Sequence, residues 1–277
     1  AVKRATSIYL VDRTIPMLPE RLCNFICSLR PDEEKLAFSV IFNLDDDANI
    51  KAYRIVHTVI KSNRRYAYEE VQQLLEDNGV KDGTGEPAPA APKGGYKGEN
   101  ADALIQLDRL AKKLRAARFK NGAVKFDREE LHFDVDEKGR PLRCYFKRSK
   151  DANKLIEEFM LLANRTVAES VGKVKKGMKP KTLPYRVHDN PDPQKLETLR
   201  EFVVKFGYKM KTDGTKGALA RSLNTLMSAC EGKREQNLIQ TVALRAMMKA
   251  KYSIHNIGHF GLAFDYYTHF TSPIRRY

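Results

Sequence analysis

The sequence lacks the features that mark membrane and secreted proteins. No stretch approaches the ~18 consecutive apolar residues that a membrane span needs, so no membrane partner is expected. No charged-then-apolar leader ending in small residues is visible, which favours a protein that is not secreted. The cysteines are too few and too scattered for a disulfide framework. Together these absences favour the reducing cytoplasm.

Acidic residues are scarce relative to basic ones. The chain of 277 residues has 50 Lys and Arg against 35 Asp and Glu, a formal net charge of +15. Because 42% of the residues are apolar, the chain can build a core and wholesale disorder is excluded. Such a charge on a folded protein points to a polyanionic partner, most simply nucleic acid. Residues 143–186, with twelve Lys or Arg against four Asp or Glu, are typical of a solvated surface that attracts phosphates without reading sequence.

The hydrophobic patterns predict an α+β fold, with mixed or antiparallel strands in the first half and packed helices in the second. Strands are predicted at 6–11, 36–42, 50–60, 124–126, 131–135 and 142–146. The turn signals at 45–49 and 138–139 predict that two pairs of these strands form antiparallel hairpins. Helices are predicted at 19–28, 66–78, 104–121, 152–172, 192–206, 218–230 and 237–251.

Residues 79–99 differ in composition from their surroundings. Gly, Pro and Ala fill 12 of these 21 positions, so the segment is expected to bury little and to form a flexible surface loop. We interpret it as a loop within one domain over residues 1–277 rather than as a linker between two independent domains.

The helix predicted at 152–172 carries one charged residue in an unusual place. On a helical projection Glu158 falls at the edge of the apolar arc, beside Leu155 and Leu162. A carboxylate there either forms a salt bridge with Arg165 or faces a polar cleft that holds a ligand. The pattern alone leaves both alternatives open.

Three arrangements of metal-ligating side chains occur, and none of them predicts a metal site. Cys23 and Cys27 are four residues apart, but no second Cys or His pair completes a zinc site. The acidic run at 45–47 lies between two predicted strands, where a hairpin turn is favoured over a metal site. His255 and His259 flank a glycine-containing segment and are not expected to share a helix face.

The last 23 residues combine aromatic, histidine and arginine side chains at high density. Residues 260–267 hold four aromatic rings, and a Thr-Ser-Pro turn at 271–273 directly precedes Ile274, Arg275 and Arg276. Aromatic faces beside an arginine pair suit stacked bases and clamped phosphates. An aromatic core strand that ends in a surface arginine pair fits the composition equally well.

Four parts of the sequence carry strings that can be compared with known families. They are TSIY at 6–9, IPMLP at 15–19 and LCNFICSL at 22–29 in the first part, LIEEFM at 155–160 and AN at 163–164 in the second, YRVHD at 185–189 in the third, and GHFGLA at 258–263 and YTHFTSPIRRY at 267–277 in the fourth. These strings resemble the RNase II/RNase R family of exoribonucleases, and they occur in the family's order. The resemblance covers almost the whole chain, and bacterial RNase R is the more similar subtype.

The resemblance implies a processive 3′-to-5′ exoribonuclease that hydrolyses single-stranded RNA to nucleoside 5′-monophosphates with magnesium. It implies that Tyr9 stacks on the 3′-terminal base, with Phe126 as its partner in an aromatic clamp. Arg275 resembles the arginine near the scissile phosphate, where it would stabilise developing negative charge. Further RNA contacts are implied for Glu158, Tyr68 and Arg276.

The chain departs from the family pattern at the metal. The family holds magnesium with four aspartates just upstream of the TSIY-like stretch, and no such cluster precedes Tyr9 here. We therefore expect a fragment of an RNB-type catalytic domain, without flanking oligonucleotide-binding domains, that binds single-stranded RNA as a monomer. Alone it is expected neither to bind magnesium nor to hydrolyse RNA. The alternative is a non-catalytic single-stranded RNA-binding module or regulator derived from the same fold.

Overall fold

The computed structural model describes residues 5–125, 130–174 and 177–276, which form two compact units. The first unit comprises Ala1–Leu114, Arg128–Ala163 and His269–Tyr277, and the second comprises Arg115–Asp127 and Asn164–Thr268. Residues 79–99 lie inside the first unit and do not join the two units. The α+β class predicted from the sequence is confirmed.

The strands of the first unit form three separate antiparallel pairs. The pairs are β1 (Ile8–Tyr9) with β2 (Thr14–Ile15), β3 (Glu34–Leu44) with β4 (Ile50–Lys61), and β5 (Glu130–Val135) with β6 (Pro141–Lys147). The two predicted hairpins are therefore confirmed, and β3 and β4 are longer than predicted. The strand predicted at 6–11 is wrong in length, because only Ile8 and Tyr9 form a strand before the chain turns.

The acidic run between β3 and β4 forms the predicted turn. The Asp45 carboxylate accepts hydrogen bonds from the backbone N–H groups of Asp47 (3.0 Å) and Asn49 (2.8 Å). Ala48 takes the left-handed conformation, with φ of 60°, which completes the reversal. These side-chain oxygens therefore stabilise the hairpin.

The α-helices of the first unit are α1 (Tyr68–Asp77), α2 (Ala101–Lys120) and α3 (Asp151–Gly172). The carboxyl-terminal parts of α2 and α3 belong to the second unit. A π-helical turn at Arg21–Ile26 replaces the longer helix predicted at 19–28. The other three helices predicted here, at 66–78, 104–121 and 152–172, agree closely with α1, α2 and α3.

The Gly- and Pro-rich segment 79–99 has no helix or strand but is anchored on both sides. Val80 and Ala88 are buried with Leu75 and Ile105. Arg109 of α2 donates hydrogen bonds to the backbone oxygens of this segment, with 3.1 Å to the Pro89 oxygen. Val80 and Ala88, the two buried residues of the segment, complete a small core between α1 and α2, while most of the segment is exposed, as expected. Its flexibility stays a prediction.

A buried ionic cluster ties this segment to α2 and α3. The Lys112 Nζ lies 2.7 Å from the Asp108 carboxylate and 3.2 Å from that of Asp151. Asp151 also accepts a hydrogen bond from the Gly83 N–H, at 3.2 Å. Burial raises the pKa of Asp108, and the hydrogen bond from Lys112 opposes that shift. The pairing satisfies charges that would otherwise be costly in the interior.

The second unit is built mainly from helices α4 (Pro193–Val204), α5 (Lys216–Ala229) and α6 (Gln236–Ala246). Asp192 and Thr215 cap the amino ends of α4 and α5 with their side-chain oxygens. The apolar faces meet in one core, whose fully buried members include Leu199, Leu223 and Ile239. The predicted packing of helices in the second half is confirmed.

Two predictions for this unit are wrong. The helix predicted at 237–251 ends at Ala246, and Lys251–Ser253 forms a strand, β8, paired with β7 (Tyr185–Val187). In this pairing Tyr252 lies opposite Arg186, whose guanidinium is 4.8 Å from the centre of the Tyr252 ring. Val124 and Lys125 are not in a strand: the Val124 N–H donates to the Gly261 oxygen at 2.9 Å, and the Lys125 N–H donates to the side-chain oxygen of Asn224 at 2.8 Å.

In the part of the chain that the structure describes, no helix is long and apolar enough to cross a membrane.

Gly172, the last residue of α3, offers a test of packing in the second unit. A Cβ there would clash with the Tyr185 hydroxyl and lie 2.8 Å from the Tyr266 ring. We expect Gly172→Ala to lower the free energy of unfolding by about 1–3 kcal/mol, as overpacking does. Gly94→Ala is the matched control, because a Cβ at Gly94 has nothing within 4 Å. Denaturant unfolding of both variants measures the difference, and equal stabilities would contradict the packing described.

Candidate functional site

The two ends of the described chain pair with each other in the first unit. Thr6 and Arg276 form an antiparallel bridge, and the Ser7 N–H donates to the Arg275 oxygen at 3.0 Å. The Thr6 hydroxyl donates to the same oxygen at 3.3 Å. The segment that carries Arg275 and Arg276 therefore lies beside the residues that lead into Tyr9.

Tyr9 lies at the tip of the small hairpin that follows this pairing. Its backbone pairs with Thr14, and the Leu10 N–H donates to the Arg13 oxygen at 2.8 Å to close the turn. The Tyr9 side chain is 63% exposed. A tyrosine held by a paired backbone and open on its ring face can stack on a planar ring such as a base.

Arg275 and Arg276 follow a turn that begins at Ser272 of the Thr-Ser-Pro string. The backbone N–H groups of Arg275 and Arg276 both donate to the Ser272 oxygen, each at 3.2 Å. The Arg275 Nη2 donates to the Ser272 hydroxyl at 3.4 Å. Ser272 is buried, whereas both arginines are exposed. A buried anchor thus orients a guanidinium whose remaining donors face outward, an arrangement suited to a phosphate.

The 258–263 string forms a scaffold around His188 in the second unit. The His188 backbone accepts from the Phe260 N–H at 2.8 Å and donates to the Gly258 oxygen at 3.0 Å. The imidazole Nδ1 accepts from the Gly261 N–H at 3.1 Å. A Cβ at Gly261 would lie 3.0 Å from that Nδ1, so the close approach requires glycine.

The hydrogen bonds of His188 define its tautomer. Nδ1 accepts from a backbone N–H, and Nε2 lies 2.7 Å from the Met248 oxygen, which can only accept. The ring is therefore neutral with its proton on Nε2. Burial lowers the pKa of His188, and the nearby positive charge of Arg186 lowers it further. The sequence singled out 185–189 as a family string but gave no indication that its half-buried histidine joins several backbone hydrogen bonds.

The remaining predicted contact residues lie elsewhere. Glu158 is on α3 and only 3% exposed, and Tyr68 opens α1 with 46% of its surface exposed. Arg165 lies 3.7 Å from Glu169, one helical turn further on, in an ion pair. Phe126 lies outside the described residues. The structure thus brings Tyr9, Arg275 and Arg276 together and leaves the contacts predicted for Glu158, Tyr68 and Phe126 as predictions.

The acidic residues of the described part do not fit a magnesium site. Among the described residues, no group of three or more His, Cys, Asp or Glu could hold a metal ion. The Asp45 carboxylate is 2.9 Å from the Lys51 Nζ, and the hydrogen bond from Lys51 holds the pKa of Asp45 well below its usual range. Asp47 pairs in the same way with Lys113, at 2.8 Å. Oxygens already bound to lysine are poor candidates for a metal centre that needs several free carboxylates.

These features coincide with one protein family. The model of the RNB domain matches residues 1–277, and the chain belongs to the RNB domain family. The chain is 40% identical to Ribonuclease R of Aquifex aeolicus and 38% identical to Ribonuclease R of Thermotoga maritima, with all of the chain aligned. It spans 37% and 36% of the lengths of these two relatives.

Solved structures show the same fold. The chain resembles Mycoplasma genitalium RNase R in complex with ribose-methylated single-stranded RNA, with a TM-score of 0.81, 28% identity, and 99% of this chain and 40% of that chain covered. The yeast protein Ssd1, described as a pseudonuclease, is similar with a TM-score of 0.69 and 20% identity over 99% of this chain and 31% of that chain. The second likeness shows the fold alone.

The neutral His188 predicts a stability that depends on pH. Because folding lowers the pKa of His188, the unfolded protein binds more protons than the folded protein. The stabilisation that neutral His188 provides is therefore complete above about pH 6.5 and is lost as the pH falls below that value. We expect the free energy of unfolding to drop between pH 7.5 and about pH 5. We expect His188→Gln to cost about 1–3 kcal/mol at pH 7.5 through its lost hydrogen bonds, and to flatten this pH dependence.

Urea unfolding at a series of pH values measures both effects. The exposed His255→Gln is the control, and it should keep the wild-type pH dependence because His188 is intact. A His188→Gln protein with an unchanged pH dependence would show that His188 is not the group responsible.

Proposed function

We propose that this chain forms the RNA-binding part of a processive 3′-to-5′ exoribonuclease, which hydrolyses single-stranded RNA to nucleoside 5′-monophosphates. The observation that carries the proposal is the Ser7–Arg275 backbone bond, because it joins the segment that leads to an exposed aromatic ring with the segment that carries an oriented guanidinium. Relatives named Ribonuclease R, and a similar structure in complex with single-stranded RNA, support the choice of substrate.

In the proposed site each side chain has a separate task. The Tyr9 ring stacks on the terminal base. Stacking does not discriminate between bases, because every base has a flat face. Arg275 donates to the oxygens of the scissile phosphate and stabilises the negative charge that develops there. Ser272 acts through Arg275, since its hydroxyl and its carbonyl both fix that arginine.

Magnesium supplies the activated water and the Lewis acid in hydrolysis of this class, when it is bound. The acidic residues described here do not provide its site, since Asp45 and Asp47 are held by lysines. We therefore propose that this chain binds and orients RNA but does not hydrolyse it unaided. The second candidate is a non-catalytic single-stranded RNA-binding module. The pairing of Asp45 and Asp47 with lysines favours it.

The charge distribution supports binding to a polyanion. The second unit carries 23 Lys and Arg against 10 Asp and Glu, whereas the first carries 27 against 25. Nearly all of the net charge therefore belongs to the second unit. Lysines and arginines at this density attract phosphates without reading sequence, and such attraction is screened by salt.

One experiment with a uniformly labelled single-stranded RNA tests binding and hydrolysis together. We expect binding at about 0.05 M salt that weakens roughly twentyfold by about 0.2 M, as for about three phosphate contacts on a single strand. With magnesium present we expect no release of mononucleotides by this chain alone. Binding that is indifferent to salt would contradict the electrostatic account. Release of nucleoside monophosphates that survives repurification would contradict the proposal that this chain lacks hydrolytic activity.

A further inference from the structure

The chain contains two Asn-Gly pairs, Asn78-Gly79 and Asn121-Gly122, and each directly follows a helix. Asparagine before glycine is prone to deamidation, because glycine has no Cβ to hinder attack of its backbone nitrogen on the asparagine side chain. Asn78 belongs to the first unit and Asn121 to the second. The protein therefore presents one reactive dipeptide in two different surroundings.

The backbone has the same arrangement at both pairs. After α1, the N–H groups of residues 78–80 donate to the oxygens four, three and five residues earlier, at 3.2, 2.9 and 3.0 Å. After α2, the N–H groups of residues 121–123 donate in the same pattern, at 3.0, 3.0 and 3.2 Å. Gly79 and Gly122 both take the left-handed conformation that ends a helix in this way, with φ of 84° and 101°. The nitrogen that would attack is therefore held equally at the two pairs.

The side chains of the two asparagines differ. The Asn78 Nδ2 donates to the oxygens of Leu74 (2.8 Å) and Lys97 (2.9 Å), and its Oδ1 accepts from the Lys97 N–H at 2.8 Å. Asn121 is exposed, and its amide makes no hydrogen bond with any residue that the structure describes. The Asn78 amide must break three hydrogen bonds before it can turn toward the next backbone nitrogen, whereas the Asn121 amide turns without such a cost.

We infer that Asn121 is a site of spontaneous deamidation in the folded protein. During a transient opening of the turn, the Gly122 nitrogen bonds to the Asn121 Cγ and the Cγ–Nδ2 bond breaks. The leaving amide takes up the proton of the Gly122 N–H and departs as ammonia. Solvent water then adds to the cyclic imide and opens either of its two carbonyl–nitrogen bonds, which gives aspartate or isoaspartate. In total one side-chain amide and one water become one carboxylate and one ammonium ion.

Isoaspartate at this position disturbs the second unit, because it lengthens the main chain by one atom. Residues 122–124, which follow directly, are buried. The Val124 N–H donates to the Gly261 oxygen at 2.9 Å, and the Asn224 Nδ2 donates to the Ala123 oxygen at 2.8 Å. A longer chain displaces either the end of α2 or these bonds, whereas aspartate leaves the backbone unchanged. We therefore expect the isoaspartate form to be less stable than the aspartate form.

Ageing the native chain in mildly alkaline buffer, followed by tryptic mapping with mass spectrometry, tests the assignment. Cleavage after Lys and Arg separates the sites, because residues 66–81 hold Asn78 and residues 121–125 hold Asn121. In the folded chain we expect Asn121 to deamidate about tenfold faster than Asn78 or more, since the hydrogen bonds of Asn78 must break first. In urea the two rates should converge, because both pairs are then unstructured. The chain unfolded in urea is thus the control for the effect of sequence alone.

Methylation by an L-isoaspartate O-methyltransferase with labelled S-adenosylmethionine detects the isoaspartate product directly. The aged unmutated chain should take up the label, whereas aged Asn121→Gln should take up little, because glutamine would have to close a larger ring. Asn78→Gln is the matched control and should be labelled like the unmutated chain, since it keeps Asn121. Denaturant unfolding then compares the aged chain with Asn121→Asp, which carries the same charge on an unaltered backbone. The aged chain should unfold at lower denaturant concentration.

Two results would overturn the modification site: equal deamidation rates of Asn78 and Asn121 in the folded chain, or equal labelling of Asn121→Gln and the unmutated chain. Aged protein that unfolds like Asn121→Asp would overturn the effect assigned to the longer main chain. None of these measurements involves RNA, so the modification site and the proposed function stand or fail separately.

Discussion

The backbone pairing of residues 6–7 with 275–276 is the constraint on which the site depends. Neither Tyr9 nor Arg275 is placed by its own side-chain packing, because both are exposed. What places them is a hydrogen bond between residues at opposite ends of the sequence, reinforced by the Thr6 hydroxyl on the same carbonyl oxygen. Backbone pairing restricts both segments while the ring and the guanidinium remain open to a ligand, which is the preorganisation that binding favours.

The second unit has a scaffold of its own, centred on His188. His188 binds the 258–263 string with backbone and imidazole hydrogen bonds, and the Thr268 hydroxyl donates to the Pro184 oxygen at 2.8 Å. A neutral imidazole is a hydrogen-bonding group of defined donor and acceptor sides, so it specifies one arrangement of the glycine-rich string.

Local patterns predicted the hairpins well and the long-range pairings poorly. The β3–β4 hairpin was predictable because alternation and the aspartate turn agree on the same register. The pairing of β7 with β8 was not, since each strand has three residues and the helical pattern of α6 runs on toward Lys251. The burial of Val80 and Ala88 was also missed, because composition does not show that Arg109 and Leu75 lie beside them.

The same limit applies to the site. No periodicity joins Tyr9 to Arg275, and only the resemblance to a family suggested that they act together. Glu158 was recognisable as unusual on its helix, and its burial agrees with that observation, but a helical projection does not identify a partner. The β5–β6 hairpin was predictable from the sequence, whereas the His132–Tyr145 stack within it required the strand register.

The central claim is that Tyr9 and Arg275 hold one and the same RNA end, and a double-mutant cycle tests it most directly. Affinity for a single-stranded RNA is measured for the unmutated chain, Tyr9→Ala, Arg275→Ala and the double variant. The account predicts that each single change weakens binding severalfold and that the double variant loses much less than the product of the two, because a terminal nucleotide released by one group is lost to the other. Losses that multiply, or single variants that bind like the unmutated chain, would contradict it.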